Sequence, residues 1–129
     1  MTLQLVYSKE APKPVGPYSQ AVIAGEWMFI SGIIPINPEN GVLEFFDGDA
    51  AKQASRILTT LRRFLESQDL KLDTIVKTTL FLKNMKDFEA VNQVYAEYFG
   101  HHKPARSTVE VSRLPKDVLV ELEAIAYLA

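Results

Sequence analysis

The sequence predicts an α+β fold, a mixed β-sheet carrying two helices on one face. Three observations lead there. Two segments, residues 49–68 and a second beginning at Asn84, repeat apolar residues at helical spacing. The remainder is short apolar runs, often β-branched, broken by proline and glycine. The order βββ-α-β-α-ββ groups strands together instead of alternating them strictly with helices. With 129 residues, 47% of them apolar and 23% charged, the chain reads as one ordered domain over residues 1–129.

Each element has its own signal. Residues 3–7 form a plausible short strand. Pro12, Pro14 and Pro17 around Gly16 fix three φ angles and remove three donors, giving a stiff extended loop that ends at Tyr18. Residues 19–24 and 27–34 read as strands joined by a tight turn at Gly25 and Glu26. Pro35, Pro38, Asn40 and Gly41 mark a loop. In the first helix Ala50, Ala54, Ile57, Leu58, Leu61, Phe64 and Leu65 share one face, and Asp47 or Asp49 can cap its start. Residues 75–82 are a β-branched strand. Asn84 then opens the second helix, with Asp87 in a capping-box-like position and Gly100 as its terminating glycine. Residues 105–111 and 118–128 are the last two strands, turning at 114–117.

Two helices can cover only one face of such a sheet. Strict alternation places Met28, Ile30, Gly32 and Ile34 on one side, with Trp27, Phe29, Ser31 and Ile33 on the other. Both sides are apolar, and burying each large side chain is worth roughly 1.5–3 kcal/mol. The simplest cover for the second face is another copy of the chain, so a homo-oligomer is expected.

Charge and composition narrow the function. Fourteen basic against sixteen acidic residues give a net charge of −2, no footprint of nucleic-acid binding. The absence of cysteine excludes disulfides, thiol nucleophiles and thiolate metal sites. The first nine residues lack the pattern of an export signal, and the most apolar region is too short to span a membrane. A cytoplasmic protein is expected.

Polar residues inside apolar strands are the informative ones. Ser31 interrupts one strand, Arg106 opens another, and Glu121 and Glu123 sit in the last. Alternation puts Ser31, Glu121 and Glu123 on the face opposite the helices, and Arg106, which shares a side with Thr108 and Glu110, is expected to join them. Taken singly, each has a plain reading: a strand-end charge for Arg106, solvent exposure or an inter-chain ion pair for the glutamates, a satisfied small residue for Ser31, a packed loop aromatic for Tyr18.

Four stretches go further. They are Ala11-Pro-Lys-Pro-Val-Gly-Pro-Tyr-Ser-Gln-Ala21, Phe29-Ile-Ser-Gly-Ile-Ile-Pro35, Ile75-Val-Lys-Thr-Thr-Leu-Phe-Leu82, and the run from Pro104 through Arg106-Ser-Thr-Val-Glu-Val-Ser-Arg-Leu-Pro-Lys-Asp-Val-Leu-Val-Glu-Leu-Glu to Ala126. Over essentially its whole length the chain resembles the Rid (YjgF) family of reactive-intermediate deaminases. The resemblance implies a chorismate-mutase-like α+β fold, three chains closing their sheets into a barrel-like centre, and sites in clefts between subunits. It implies hydrolysis of enamines and imines, such as 2-aminoacrylate and 2-iminobutanoate, to 2-keto acids and ammonia, with no metal or organic cofactor. Carried onto this chain, Arg106 binds the substrate carboxylate with its planar fork. Glu121 activates water and moves protons. Tyr18 and Ser31 shape the pocket, and the backbone at Ser107 and Thr108 accepts from the substrate's amino group. Thr108 stands where some members have cysteine. Ile33 stands where glutamine is common, making that wall more apolar, and residues 100–104 are short.

Other signals carry less. His101 and His102 are adjacent with no third ligand in view, the glycines form no phosphate loop, and no Ser-His-Asp spacing is evident. Two further functional classes share the scaffold: a module that binds a small carboxylate such as a 2-keto acid, and a chaperone-like or RNA-directed role.

Overall fold

A computed structural model describes residues 2–129, leaving Met1 outside the described residues. Three antiparallel strands open the chain: β1 (Gln4–Val6), β2 (Ala21–Ala24) and β3 (Trp27–Ile33). Ala24 pairs with Trp27 across the expected two-residue turn. Gly25 adopts φ +63° there, a conformation open to glycine at little cost. Between β1 and β2 runs the proline-rich loop, gathered by one buried glutamine. Gln20 accepts from the Ser8 amide (2.6 Å) and donates to the carbonyls of Ser8, Ala11 and Pro12 (3.0, 3.2 and 2.9 Å). A segment whose prolines cannot enter a sheet thereby keeps its polar backbone satisfied, and it delivers Tyr18 to a defined place.

Helix α1 (Ala50–Glu66) is capped by Asp49, which accepts from the Lys52 amide at 3.1 Å. Its stripe Ala54, Ile57, Leu58, Leu61, Phe64 and Leu65 is buried. Strand β4 (Ile75–Leu82) leads toward α2 (Phe88–Phe99). The expected start of α2 at Asn84 is displaced. Residues Met85–Asp87 form a 3-10 turn, and neither Asn84 nor Asp87 makes a side-chain capping bond. Instead the Glu110 carboxylate accepts from the Met85 amide at 2.7 Å, a tertiary contact replacing the capping box. Strands β5 (Ala105–Glu110) and β6 (Val120–Tyr127) follow.

The sheet order is β1-β2-β3-β6-β4-β5. Only β4 and β5 run parallel, because α2 crosses over between them, so the sheet is mixed as expected. The strand last in sequence sits inside the sheet, its Val120, Leu122, Ala124 and Ala126 buried against the helices. On the other face Trp27 is 42% and Phe29 47% exposed, with Leu5, Val109 and Tyr127 also open. That face has no helix over it, as the count of helices requires.

Alternation fails at one place. Ile30 pairs with Ala124 and Ile33 with Leu122, so three steps along β3 match two along β6. This bulge inserts one residue and reverses the facing beyond it. Ile33, expected beside Trp27 and Phe29, turns into the core at 7% exposure. Gly32, expected with Met28 and Ile30, is exposed on the face away from the helices.

Gln53 of α1 is fully buried. It donates to the Phe45 carbonyl and accepts from the Leu119 amide, both at 2.8 Å. Gln53→Leu keeps volume and leaves two backbone groups orphaned. At fixed protein concentration, urea unfolding of this variant should show a loss of about 2–4 kcal/mol.

Candidate functional site

The residues singled out by sequence fall into two groups within one chain. The first surrounds the bulge. Glu121 projects from β6, where it pairs with Phe81 of β4, onto the face without helices. Its carboxyl lies directly over Gly32: a Cβ built on that glycine would fall on Glu121 Oε2 and come within 2.9 Å of Cδ. The absence of a side chain at 32 is what seats the carboxyl. Burial pushes the Glu121 pKa above the usual carboxylate range, and the negative charge of Glu123, two residues along on the same face, pushes it the same way.

Ser31, at the bulge, donates its hydroxyl to the Ser19 carbonyl (2.6 Å), while its amide donates to the Gln20 carbonyl (3.0 Å). These bonds hold the end of the proline-rich loop against β3. The hydroxyl keeps its lone pairs for a donor. Tyr18 is half exposed at the edge of a cavity of about 60 Å³ that Ser31, Gly32 and Ile33 also line. The bulge thus brings Ile33 to this cavity from the core side.

Arg106 is elsewhere, and here the alternation argument is corrected. The parallel pairing of β4 with β5 sets Arg106 opposite Thr78, which is fully buried beneath α2. Arg106 therefore faces α2, on the side of the sheet opposite Glu121. One strand, β4, lies between theirs, so they stand two strand spacings, roughly 10 Å, apart across the sheet. Arg106, Thr108 and Glu110 do share a side, but it is the helix side. Ser107 lies on the other, accepting from Lys77 Nζ at 3.0 Å.

What holds Arg106 is aromatic. Its Cζ lies 4.7 Å from the Tyr95 ring centroid and 5.6 Å from that of Phe88. The Tyr95 hydroxyl shares a 2.7 Å hydrogen bond with Thr78. Burial raises the Tyr95 pKa, while the Thr78 bond and Arg106 pull it down. The ring contacts take none of its donors, and among the described residues no hydrogen bond takes them either, which leaves the N–H fork open. The two ion pairs of the described residues, Arg56–Glu44 and Arg113–Asp117, involve neither Arg106 nor Glu121. The chain thus presents a half-buried cation and a half-buried acid, each without an opposite charge of its own.

Gly32, Phe88 and Tyr95 were not among the sequence-derived candidates. Both aromatics belong to the apolar stripe of α2, and seven residues apart they share a helix face. Only the β4–β5 pairing reveals that Arg106 lies against them. Among the described residues no cluster of three or more metal-ligating side chains occurs, and His102 donates through Nε2 to the Ile75 carbonyl (2.6 Å) as part of the loop's packing.

Comparison with known proteins is consistent along the whole chain. The family model described as Endoribonuclease L-PSP matches residues 8–128. A RutC family protein of Pyrococcus abyssi is 50% identical over 127 residues, covering 98% of each chain. The 2-iminobutanoate/2-iminopropanoate deaminase of Escherichia coli is 44% identical over 124 residues, covering 94% of each. The crystal structure of the Rid family protein YyfA of Yersinia pestis superimposes with a TM-score of 0.91 at 43% identity, covering 98% of this chain and 99% of that one. Matched from the proline-rich loop to the last strand, in sequence and in three dimensions, this chain belongs to the Endoribonuclease L-PSP family, to which the Rid resemblance had pointed.

Proposed function

We propose that this protein is a deaminase that hydrolyses 2-imino acids and their enamine tautomers to 2-keto acids and ammonia, at a site assembled between copies of the chain. The observation that carries this reading is the separation of two unpaired charges. Arg106 and Glu121 lie on opposite faces of one sheet, so no small molecule can touch both within a single chain. A second copy, packed on the uncovered face with its Trp27 and Phe29, can bring its own Arg106 edge to the first copy's Glu121. Such a contact is heterologous. Repeated around an axis it closes into a ring, and three copies is the number the family resemblance implies. The relative named as a deaminase supports the chemistry, and the net charge of −2 disfavours an RNA substrate.

In this mechanism the Arg106 fork takes the substrate carboxylate and fixes the C=N carbon. Tyr18 closes one side. Strand β5 is paired along one edge only, so its outward backbone at Ser107 and Thr108 is free to meet the substrate's amino group. Glu121, held over Gly32, takes a proton from water as the oxygen adds to the imine carbon. The same proton passes to nitrogen. Glu121 then takes the proton of the new hydroxyl and passes it to the amino nitrogen, and as the C=O bond forms the C–N bond breaks and ammonia leaves.

The reading is tested by generating 2-aminoacrylate with a serine or threonine dehydratase and following pyruvate release. Arg106→Ala should lose roughly 10²-fold or more in kcat/KM, and Glu121→Ala roughly 10²–10⁴-fold. Dissociating and reassembling an equal mixture of these two inactive variants should restore about a quarter of the sites, those that draw the arginine from one variant and the glutamate from the other. No restoration after verified mixing would place the whole site within one chain. Binding of a 2-keto acid without acceleration of the wild type would instead assign a sensing role.

A second test uses the acid limb of the pH profile. Glu121 must be ionised to accept a proton, so kcat/KM rises with pH through its pKa. Glu123→Gln removes one of the two causes that raise that pKa. The acid limb should move to lower pH in this variant, with the plateau kept.

A further inference from the structure

We propose that the cavity beside Gly32 receives the substrate's side chain and selects 2-imino acids bearing an aliphatic group of three or four carbons. This deepens the deaminase reading and rests on it. The name of the E. coli relative refers to substrates with one- and two-carbon side chains; the cavity here is built for more.

The chemistry of the wall is the first argument. Ala11, Ile30, Ile33, Ile34, Ile36 and Phe64 supply most of it. Four polar side chains also line it: Lys13 and Tyr18, both exposed, stand at its mouth, and Gln20 and Ser31 lie further in. The Gln20 carboxamide makes four hydrogen bonds to the proline-rich loop, and the Ser31 hydroxyl donates to the Ser19 carbonyl. A hydroxyl or amine entering past that mouth would lose its water and meet only the remaining lone pairs of the Ser31 oxygen, whereas an alkyl group gives up nothing. Ile33 is decisive, because the bulge that seats Glu121 also turns Ile33 to the cavity.

Size is the second. The cavity measures about 60 Å³. A water-sized group needs roughly 10–15 Å³ on such a scale, and a cavity of about 150 Å³ takes benzene. The space therefore lies between a single water and a six-carbon ring, the range in which an alkyl group of three or four carbons falls.

Position is the third. Gly32 lines the cavity, and the carboxyl of Glu121 lies over the same glycine. An imine carbon placed for attack by water on Glu121 has the cavity beside it, so its substituent can enter while its carboxylate points away toward the neighbouring copy. The half-exposed Tyr18 forms the rim between the two.

The experiment uses the assembled protein and 2-imino acids made in situ by an amino acid oxidase from alanine, 2-aminobutanoate, valine, leucine and serine. Deamination is measured in competition with semicarbazide. Each buried methylene favours binding by about fourfold, so kcat/KM for the valine- and leucine-derived compounds should exceed that for the alanine-derived one tenfold or more. The serine-derived compound should gain nothing over alanine. Ala11→Leu, which fills the cavity, should bring the leucine-to-alanine ratio down toward one. Ile36→Ala, which widens it, should move the optimum to longer chains and covers the case in which the filling variant does not fold. Acceleration that is equal across the series, greatest for the serine-derived compound, or unmoved by both variants would overturn the subsite and leave the deaminase reading standing. A lack of acceleration with every compound would overturn the deaminase reading and the subsite together.

Discussion

The close approach of the Glu121 carboxyl to Gly32 is the constraint on which this structure turns. Two neighbouring strands in register would set a side chain on β3 against that carboxyl. Here the bulge between Ile30 and Ile33 brings an extra residue to the face without helices, and that residue has no Cβ. One backbone irregularity then has two effects. It leaves room for an acid on the open face and turns Ile33 inward to fill the core beside Leu122. The ladder of β3 with β2 ends at the same place, with Ala21 opposite Ile30, and beyond the Ser31 bonds to residues 19 and 20 a cavity opens between the proline-rich loop and the strand. Bulges near sheet ends re-aim side chains in this way.

The other half of the molecule solves a different problem. A guanidinium that meets a carboxylate from outside, as proposed for Arg106, must not be neutralised from inside, and yet must not swing freely. Stacking on Tyr95 and Phe88 meets both needs, since an aromatic face holds the cation without occupying its donors. The parallel crossover makes this possible. Because α2 lies between β4 and β5 in sequence, it must pack over the edge they form, and its aromatic stripe falls on the residue opposite Thr78. The hydrogen bond between buried Thr78 and Tyr95 then fixes the ring that fixes the arginine.

Much of the architecture was legible because it follows from periodicity. The helical stripe of α1, the cap at Asp49, the Gly25 turn and the helix-facing set on β6 all obey local rules that tertiary contacts do not override. The failures share a cause: each depends on a partner far away in sequence. The capping box at Asn84 lost to Glu110, which captures the Met85 amide across 25 residues. The facing of Ile33 and Gly32 was misjudged because a bulge is set by register against β6, about ninety residues on, and strict alternation has no place for an extra residue. Arg106 was assigned to the wrong face for a related reason. Its own strand shows which neighbours share its side, but only pairing with β4 shows which side the helices take. The candidate residues themselves came from the family resemblance and not from local pattern, since singly each had an ordinary explanation.

An unpaired, half-buried charge is a cost to the folded chain, because burial disfavours the charged form and nothing nearby offsets it. This chain carries two such groups, and it had the means to avoid them. A lysine at 123, two residues from Glu121 on the same face, would have neutralised the acid; Glu123 instead adds to its burden. An acid on α2 in place of Tyr95 would have paired Arg106. Stability selected alone favours those alternatives, and the fold is robust enough elsewhere, through its continuous core of α1, α2 and β6, to tolerate the loss. In the site proposed above, charges kept apart on opposite faces are reconciled by a second copy and by a ligand that carries a carboxylate to one and a reactive carbon to the other. On the proposed reading, the arrangement that weakens a single chain is the one that makes a shared site between chains selective for such a ligand.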